Sequence, residues 1–258
     1  MANLKYKSIN LHFTVQGNGS TIVLLHGFLE NITMWKDIIP HLAKKHKVIC
    51  IDLLGHGKTE SLGYIHTMED QANMVKFILN YLKLSKYTFI GHSMGGYIAL
   101  AFAELFPTYI KGLCLMNSSA QPDDDEKQQN RDRAIRAVKH SPNTFVKLAI
   151  PNLFSEANKT NFSKEIEQVT QEALQTSPQG IIAAMEGMKI RKDRTSILNS
   201  SSFPILMIIS KLDPALAYQD LIDQTKNTTV LIREFPDGHM SHIENKKELI
   251  DTLIQFVN

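Results

Sequence analysis

Ser93, Asp213 and His239 are the residues whose types and order could perform nucleophilic chemistry on a carbonyl. A serine hydroxyl is a poor nucleophile at neutral pH and needs a base, and histidine titrates in the useful range. The histidine in turn needs a carboxylate that fixes its tautomer and stabilises the imidazolium. Ser93 stands in Gly91-His92-Ser93-Met94-Gly95, a G-x-S-x-G pattern between an apolar run and an apolar helix ended by Pro107. On so sharp a strand-to-helix turn the serine backbone is strained, and side chains at the two glycines would collide with neighbouring backbone. Asp213 ends Ser210-Lys211-Leu212-Asp213 after one strand-like run, and His239 follows Gly238 after another. The short motif alone matches chains by chance. All three residues, however, stand at expected strand ends, which a parallel sheet delivers to one edge.

A fourth strand end, His26-Gly27-Phe28, completes the constellation. Gly27 lets the backbone bend so that the Phe28 N–H can face the site, opposite the N–H of Met94. A donor of this kind is worth roughly 3–4 kcal/mol to a developing oxyanion. His242 is the reserve base, while Asp220 and Asp223 fall in the following helix and Asp237 lies too near His239 in sequence to place. The His239/His242 pair has no cysteine or acid at ligand spacing, so no metal is expected.

The positioning elements follow from apolar periodicity. Strands are expected at Thr21–Leu25, Lys47–Leu53, Tyr87–Ile90, Ile110–Met116, Pro204–Ile209 and Thr228–Phe235, after an antiparallel pair within Lys5–Val15. Helices are expected at Ile32–Lys45, at Thr67–Leu84 with Thr67 as N-cap, and at Glu244–Val257. This alternation indicates a mostly parallel sheet covered on both faces. From residue 121 to 202 the rhythm breaks into polar, helix-prone sequence, starting with Asp and Glu residues suited to a helix N-terminus. That segment reads as a helical cap, 121–202, inserted into a core of residues 1–120 and 203–258. Candidate pocket residues are His26, Trp35, Tyr97, Phe145, Leu148 and Met185, with Phe28 and Met94 beside them. Arg131, Arg136 and Arg191 could hold a carboxylate but read as solvated surface charge, and His56 as a structural loop residue.

Composition excludes several classes. A net charge of +2 over 258 residues leaves no nucleic-acid footprint. No apolar run has the length of a membrane span, and the N-terminus lacks the apolar core of a signal peptide. Cys50 and Cys114, each inside an apolar strand, read as buried reduced thiols, and a cytoplasmic setting is the expectation. Nothing in the residues specifies an oligomeric state.

Taken together, Leu25-His26-Gly27-Phe28, Asp52-Leu53-Leu54-Gly55-His56-Gly57, Gly91-His92-Ser93-Met94-Gly95-Gly96, Asp213-Pro214, and Gly238-His239 with Glu244-Asn245 resemble the α/β-hydrolase superfamily over nearly the full chain. The resemblance implies an eight-stranded sheet, a cap after the sixth strand, no cofactor, and hydrolysis of a small-molecule ester, lactone or related compound. Ser210 stands where a glycine is common and Leu54 where a proline is common. Haloalkane dehalogenases and epoxide hydrolases carry aspartate at the elbow, so Ser93 argues against both. Ile51–Thr59 also resembles the menaquinone-pathway SHCHC synthase, a lyase with an arginine after the paired glycines where Tyr97 stands here. That lyase, and a small-molecule receptor on the same fold, are the alternative readings.

Overall fold

The computed structural model describes residues 4–258. The strands are β1 (Leu4–Tyr6), β2 (Ile9–Leu11), β3 (Phe13–Gln16), β4 (Ser20–Leu25), β5 (His46–Ile51), β6 (Tyr87–His92), β7 (Ile110–Met116), β8 (Ile205–Ser210) and β9 (Leu231–Phe235). The last seven form one sheet in the order β3-β5-β4-β6-β7-β8-β9. Only β3 runs antiparallel, against β5. Alternate residues of each strand enter different cores. Val23 and Leu25 of β4 join one cluster, Ile22 and Leu24 the other, so both faces are covered.

Around the sheet lie α1 (Ile39–Leu42), α2 (Met68–Tyr81), α3 (Met94–Leu105), α10 (Tyr218–Thr225), α11 (Ser241–Glu244) and α12 (Lys246–Val257). Between β7 and β8 come α4 (Asp125–His140), α5 (Pro142–Ala149), α6 (Asn158–Asn161), α7 (Ser163–Ala173), α8 (Pro178–Lys189) and α9 (Thr195–Ser200). The cap expected at Thr67 is in place, and Asp124 provides another. The Thr67 side chain accepts from the Asp70 N–H at the start of α2, and Asp124 accepts from the Lys127 N–H at the start of α4.

Three expectations are corrected. The sheet has seven strands rather than eight, because β1 and β2 pair only with each other. His12 interrupts the run between β2 and β3: its N–H donates to Thr59 Oγ1, its Nδ1 bonds Asp52, and Asn10 of β2 is held by Glu60. The helical insertion follows the fifth strand of the central sheet and the seventh of the chain, not the sixth. The single helix expected over Ile32–Lys45 is a 3₁₀ turn at Ile32–Trp35 followed by the short α1. Pro40 falls in the first turn of α1, where no N–H is needed, and it cannot donate to the Lys36 carbonyl as a continuous helix would require.

The insertion docks on the core through small residues. A Cβ at Gly187 would run into the His66 carbonyl oxygen, and one at Gly180 into that of Gly55. The His66 N–H donates to the Ala183 carbonyl at 2.9 Å, so backbone meets backbone along α8. Replacing Gly187 by alanine is expected to lower stability by about 1–3 kcal/mol through overpacking, despite alanine's better helix propensity. Chemical denaturation tests this, and an unchanged or raised midpoint would show that the seam yields.

Candidate active site

Ser93 lies between β6 and α3 with φ 49° and ψ −115°, a left-handed conformation that costs a non-glycine residue on the order of 1–3 kcal/mol. Its neighbours hold it there. Gly91 and Gly95 approach so closely that a Cβ on Gly91 would meet the Gly95 carbonyl, and one on Gly95 the carbonyl of Leu25 at the end of β4. The Ser93 N–H donates to the Met116 carbonyl at 2.9 Å, and Ser118 Oγ donates to the Ser93 carbonyl at 2.8 Å. Met94 is the first residue of α3, so its N–H has no acceptor within the helix.

His239 Nδ1 lies 2.7 Å from Asp213 Oδ2. The Asp213 Oδ1 accepts from the Ala215 and Leu216 N–H groups at 2.8 and 3.0 Å, and Asn117 Nδ2 donates to Oδ2 at 3.1 Å. Burial pushes this carboxyl up, but His239 and these donors outweigh burial and hold it below the usual aspartate range. Asn117 is itself fixed by Ser210 Oγ and Ser241 Oγ. Ser210, which stands where a glycine is common, thereby supports the acid through a chain of hydrogen bonds. The loops after β8 and β9 are also joined directly, Lys211 N–H to the Phe235 carbonyl and Leu212 N–H to that of Asp237.

A second histidine–carboxylate pair lies beneath the first. Glu30 Oε2 accepts from the Gly27 N–H at 2.6 Å and bonds His92 Nδ1 at 2.7 Å, while His92 Nε2 donates to the His239 carbonyl at 3.0 Å. With Glu30 ionised, both nitrogens of His92 face acceptors, the arrangement of an imidazolium. Burial pushes Glu30 up, but the coulombic pull of His92 leaves its pKa at about 2. Burial pushes His92 down, and Glu30 lifts it above the ordinary histidine value. His242 is not in reach of Asp213. It packs near Glu30, and burial takes its pKa down to about 4.

Ser93 and His239 open onto one cavity of about 350 Å³, also lined by Phe28, Tyr97, Phe145 and Met185. Among the other residues expected at the pocket, three lie elsewhere. His26 is buried and structural: its Nε2 accepts from the Leu53 N–H at 2.9 Å, and its Nδ1 donates to the Gly27 carbonyl. Trp35 packs in the core on the opposite face of the sheet, beside Ile22 and Leu24. Leu148 is 64 % exposed on the outside of α5. Met94 is fully buried beneath the elbow.

Sequence reasoning missed Glu30, His92, Asn117 and Leu216. His92 occupies a free position of the motif, and Glu30 lies three residues past Gly27, so neither carries a signal of its own. Arg131 and Arg191 are not the surface charges expected: both line the cavity and bond Asp123, whereas Arg136 is exposed. His56 is buried with Nδ1 on the Leu54 carbonyl, as a structural loop histidine would be.

Comparison with known proteins agrees with this architecture. Residues 20–246 match the family model described as alpha/beta hydrolase fold, and the chain belongs to that family. A thermophilic esterase from Thermogutta terrifontis, solved with malate bound, superposes with a TM-score of 0.91 at 30 % identity, covering 96 % of this chain and 93 % of the esterase. The 3-oxoadipate enol-lactonase 2 of Acinetobacter baylyi is 23 % identical over 232 residues, 89 % of this chain and 85 % of that protein. An uncharacterized protein of Mycobacterium tuberculosis is 35 % identical over 106 residues, and the match spans only 31 % of its length. No helix among the described residues is long and apolar enough to cross a membrane.

The pair Glu30/His92 generates a pH signature. With a lowered folded pKa, Glu30 contributes stability above its unfolded value near 4.5, lost as pH falls toward about 2. With a raised folded pKa, His92 contributes stability that is complete below about 6.5 and is lost as pH rises through its folded value. Glu30→Gln is therefore expected to lower the melting temperature most between pH 4.5 and 6.5, with the deficit shrinking toward pH 9. A deficit independent of pH would show that the pair is not ionised.

Proposed function

We propose that this protein is a serine hydrolase that cleaves a small or medium carboxylic ester or lactone through an acyl-enzyme. The observation that carries the reading is the 2.7 Å bond from His239 Nδ1 to Asp213, with the same histidine and the strained Ser93 lining one cavity. With Nδ1–H donated to Asp213, Nε2 is left as the proton acceptor. It takes the Ser93 proton as Oγ attacks the carbonyl carbon, and the resulting oxyanion is received by the N–H groups of Phe28 and Met94. His239 returns the proton to the departing alcohol oxygen. A water then attacks the acyl-enzyme, giving its proton to the same nitrogen, and Ser93 leaves with that proton as the acid is released.

In this reading residues 121–202 act as a cap over a core formed by 1–120 and 203–258, and the cavity is the space between them. The esterase and the enol-lactonase named above support an ester or lactone as the substrate. Cys50 and Cys114, both free and buried, suit a cytoplasmic enzyme.

The test is hydrolysis of a p-nitrophenyl ester series of increasing acyl length. Ser93→Ala should abolish turnover while leaving the thermal melt intact, and turnover retained by that variant sinks the scheme. Asp213→Asn should lower kcat by around 10⁴-fold, the value known for the equivalent change in the serine-protease example.

A further inference from the structure

The cavity wall opposite the elbow carries charge that the reaction above does not use. Arg131 bonds Asp123 through Nε and, at 3.3 Å, through Nη2, and Arg191 Nη1 bonds the same carboxylate at 2.5 Å. All three residues line the cavity, and Asp123 and Arg191 are buried. The neighbouring acids are engaged elsewhere: Asp124 with Lys127, Asp132 and Glu186 with Lys189, and Glu30 with His92. Arg131, Arg191 and Asp123 together thus carry one net positive charge on the cavity wall.

The position of this charge is fixed relative to the nucleophile. The Arg191 guanidinium carbon sits 4.2 Å from the centre of the Tyr97 ring. Tyr97 lies one helical turn beyond Ser93, with its N–H on the Ser93 carbonyl at 3.3 Å. Further bonds from Arg191 Nε to the Gln121 carbonyl and from Nη1 to the Met188 carbonyl prevent the guanidinium from swinging out to water. A net charge withdrawn from water is costly, and an anion of single charge beside it recovers that cost. Guanidinium groups present paired N–H donors that suit a carboxylate.

We propose that the Asp123–Arg131–Arg191 wall is a subsite for a carboxylate carried by the substrate, making the substrate a monoanionic ester or lactone. This rests on the hydrolase reading for the bond that is cleaved, but not for the binding of the anion. One excess charge matches a carboxylate better than a phosphate dianion.

Two matched substrate pairs test it. In mono-4-nitrophenyl adipate a carboxylate replaces the terminal methyl of 4-nitrophenyl hexanoate, placing the charge in the acyl part. In 4-acetoxybenzoate against 4-acetoxytoluene the charge is in the leaving part. The wild type should favour the anionic member of at least one pair by about ten- to a hundredfold in kcat/KM, as expected of hydrogen bonds to a charged group. Arg131→Gln leaves a neutral Asp123–Arg191 pair and no orphaned buried charge, and it should bring that ratio close to one. A wild-type ratio at or below one for both pairs, or a ratio unchanged in Arg131→Gln, overturns the subsite.

Calorimetric titration of Ser93→Ala with monomethyl adipate, an adipate monoanion, and with its uncharged counterpart methyl hexanoate separates this inference from the hydrolase reading. Binding of monomethyl adipate that is lost in the Ser93→Ala, Arg131→Gln double variant upholds the subsite even if no ester is turned over. Ester turnover without charge preference, together with no binding of monomethyl adipate, overturns the subsite and leaves the hydrolase reading standing.

Discussion

The geometry of the site depends on one buried carboxylate that takes no part in the proposed chemistry. Glu30 binds the Gly27 N–H in the loop after β4 and the ring of His92 next to Ser93, and His92 passes the restraint on to the His239 carbonyl. Three loops that are distant in sequence are thus held to a common point by a single charged group and the imidazolium beside it. Buried ion pairs contribute little to net stability compared with apolar packing, but removing one partner is strongly destabilising. That asymmetry suits a site in which register counts for more than total stability.

The sheet and the candidate catalytic residues were legible in the sequence because backbone constraints speak through local composition. Continuous apolar runs marked strands β4 to β8, and the glycines around Ser93 and before His239 marked turns that other residues could not make. The failures have a common origin. Trp35 and Leu148 were assigned to the pocket from residue type, yet which face of an element meets the cavity depends on how elements pack. Pro40 shows the same limit at the local scale: apolar spacing alone suggests one helix over Ile32–Lys45, and the proline divides it. The supporting polar network was not legible at all: Asn117, Ser210 and Ser241 are small polar residues, common in any loop, and acquire meaning only when the strand ends are side by side.

The helical insertion is fastened to the loop carrying His239 as well as to the rest of the core. The His239 N–H donates to the Leu153 carbonyl at 2.9 Å. Glu244 Oε1 accepts from the Ser155 N–H and hydroxyl, both at 2.9 Å, and from Asn158, while its Oε2 accepts from the Met240 N–H. The helical insertion and the loop carrying the histidine are therefore tied together by backbone and side-chain hydrogen bonds. Glu244, conspicuous in the sequence only as part of a resemblance, is the carboxylate that joins them.

The insertion leaves the sheet after Met116 and returns at Ile205, on the strand hydrogen-bonded to the one it left. Its neck is closed by the Arg194 N–H on the Ala120 carbonyl at 2.8 Å. The entropy of closing such a loop grows only with the logarithm of its length, about 0.6 kcal/mol for each doubling. Lengthening or shortening the excursion therefore changes the loop-closure cost of the sheet very little, whereas it changes what stands above Ser93 a great deal. A lineage built on this scaffold is free to explore new substrates by exchanging the insertion, provided the pieces that grip His239 and the glycine seam are kept. The kinetic consequence runs the other way. Strands β7 and β8 must find each other across the whole insertion, so the β7–β8 pairing is a long-range contact that slows the folding of the sheet.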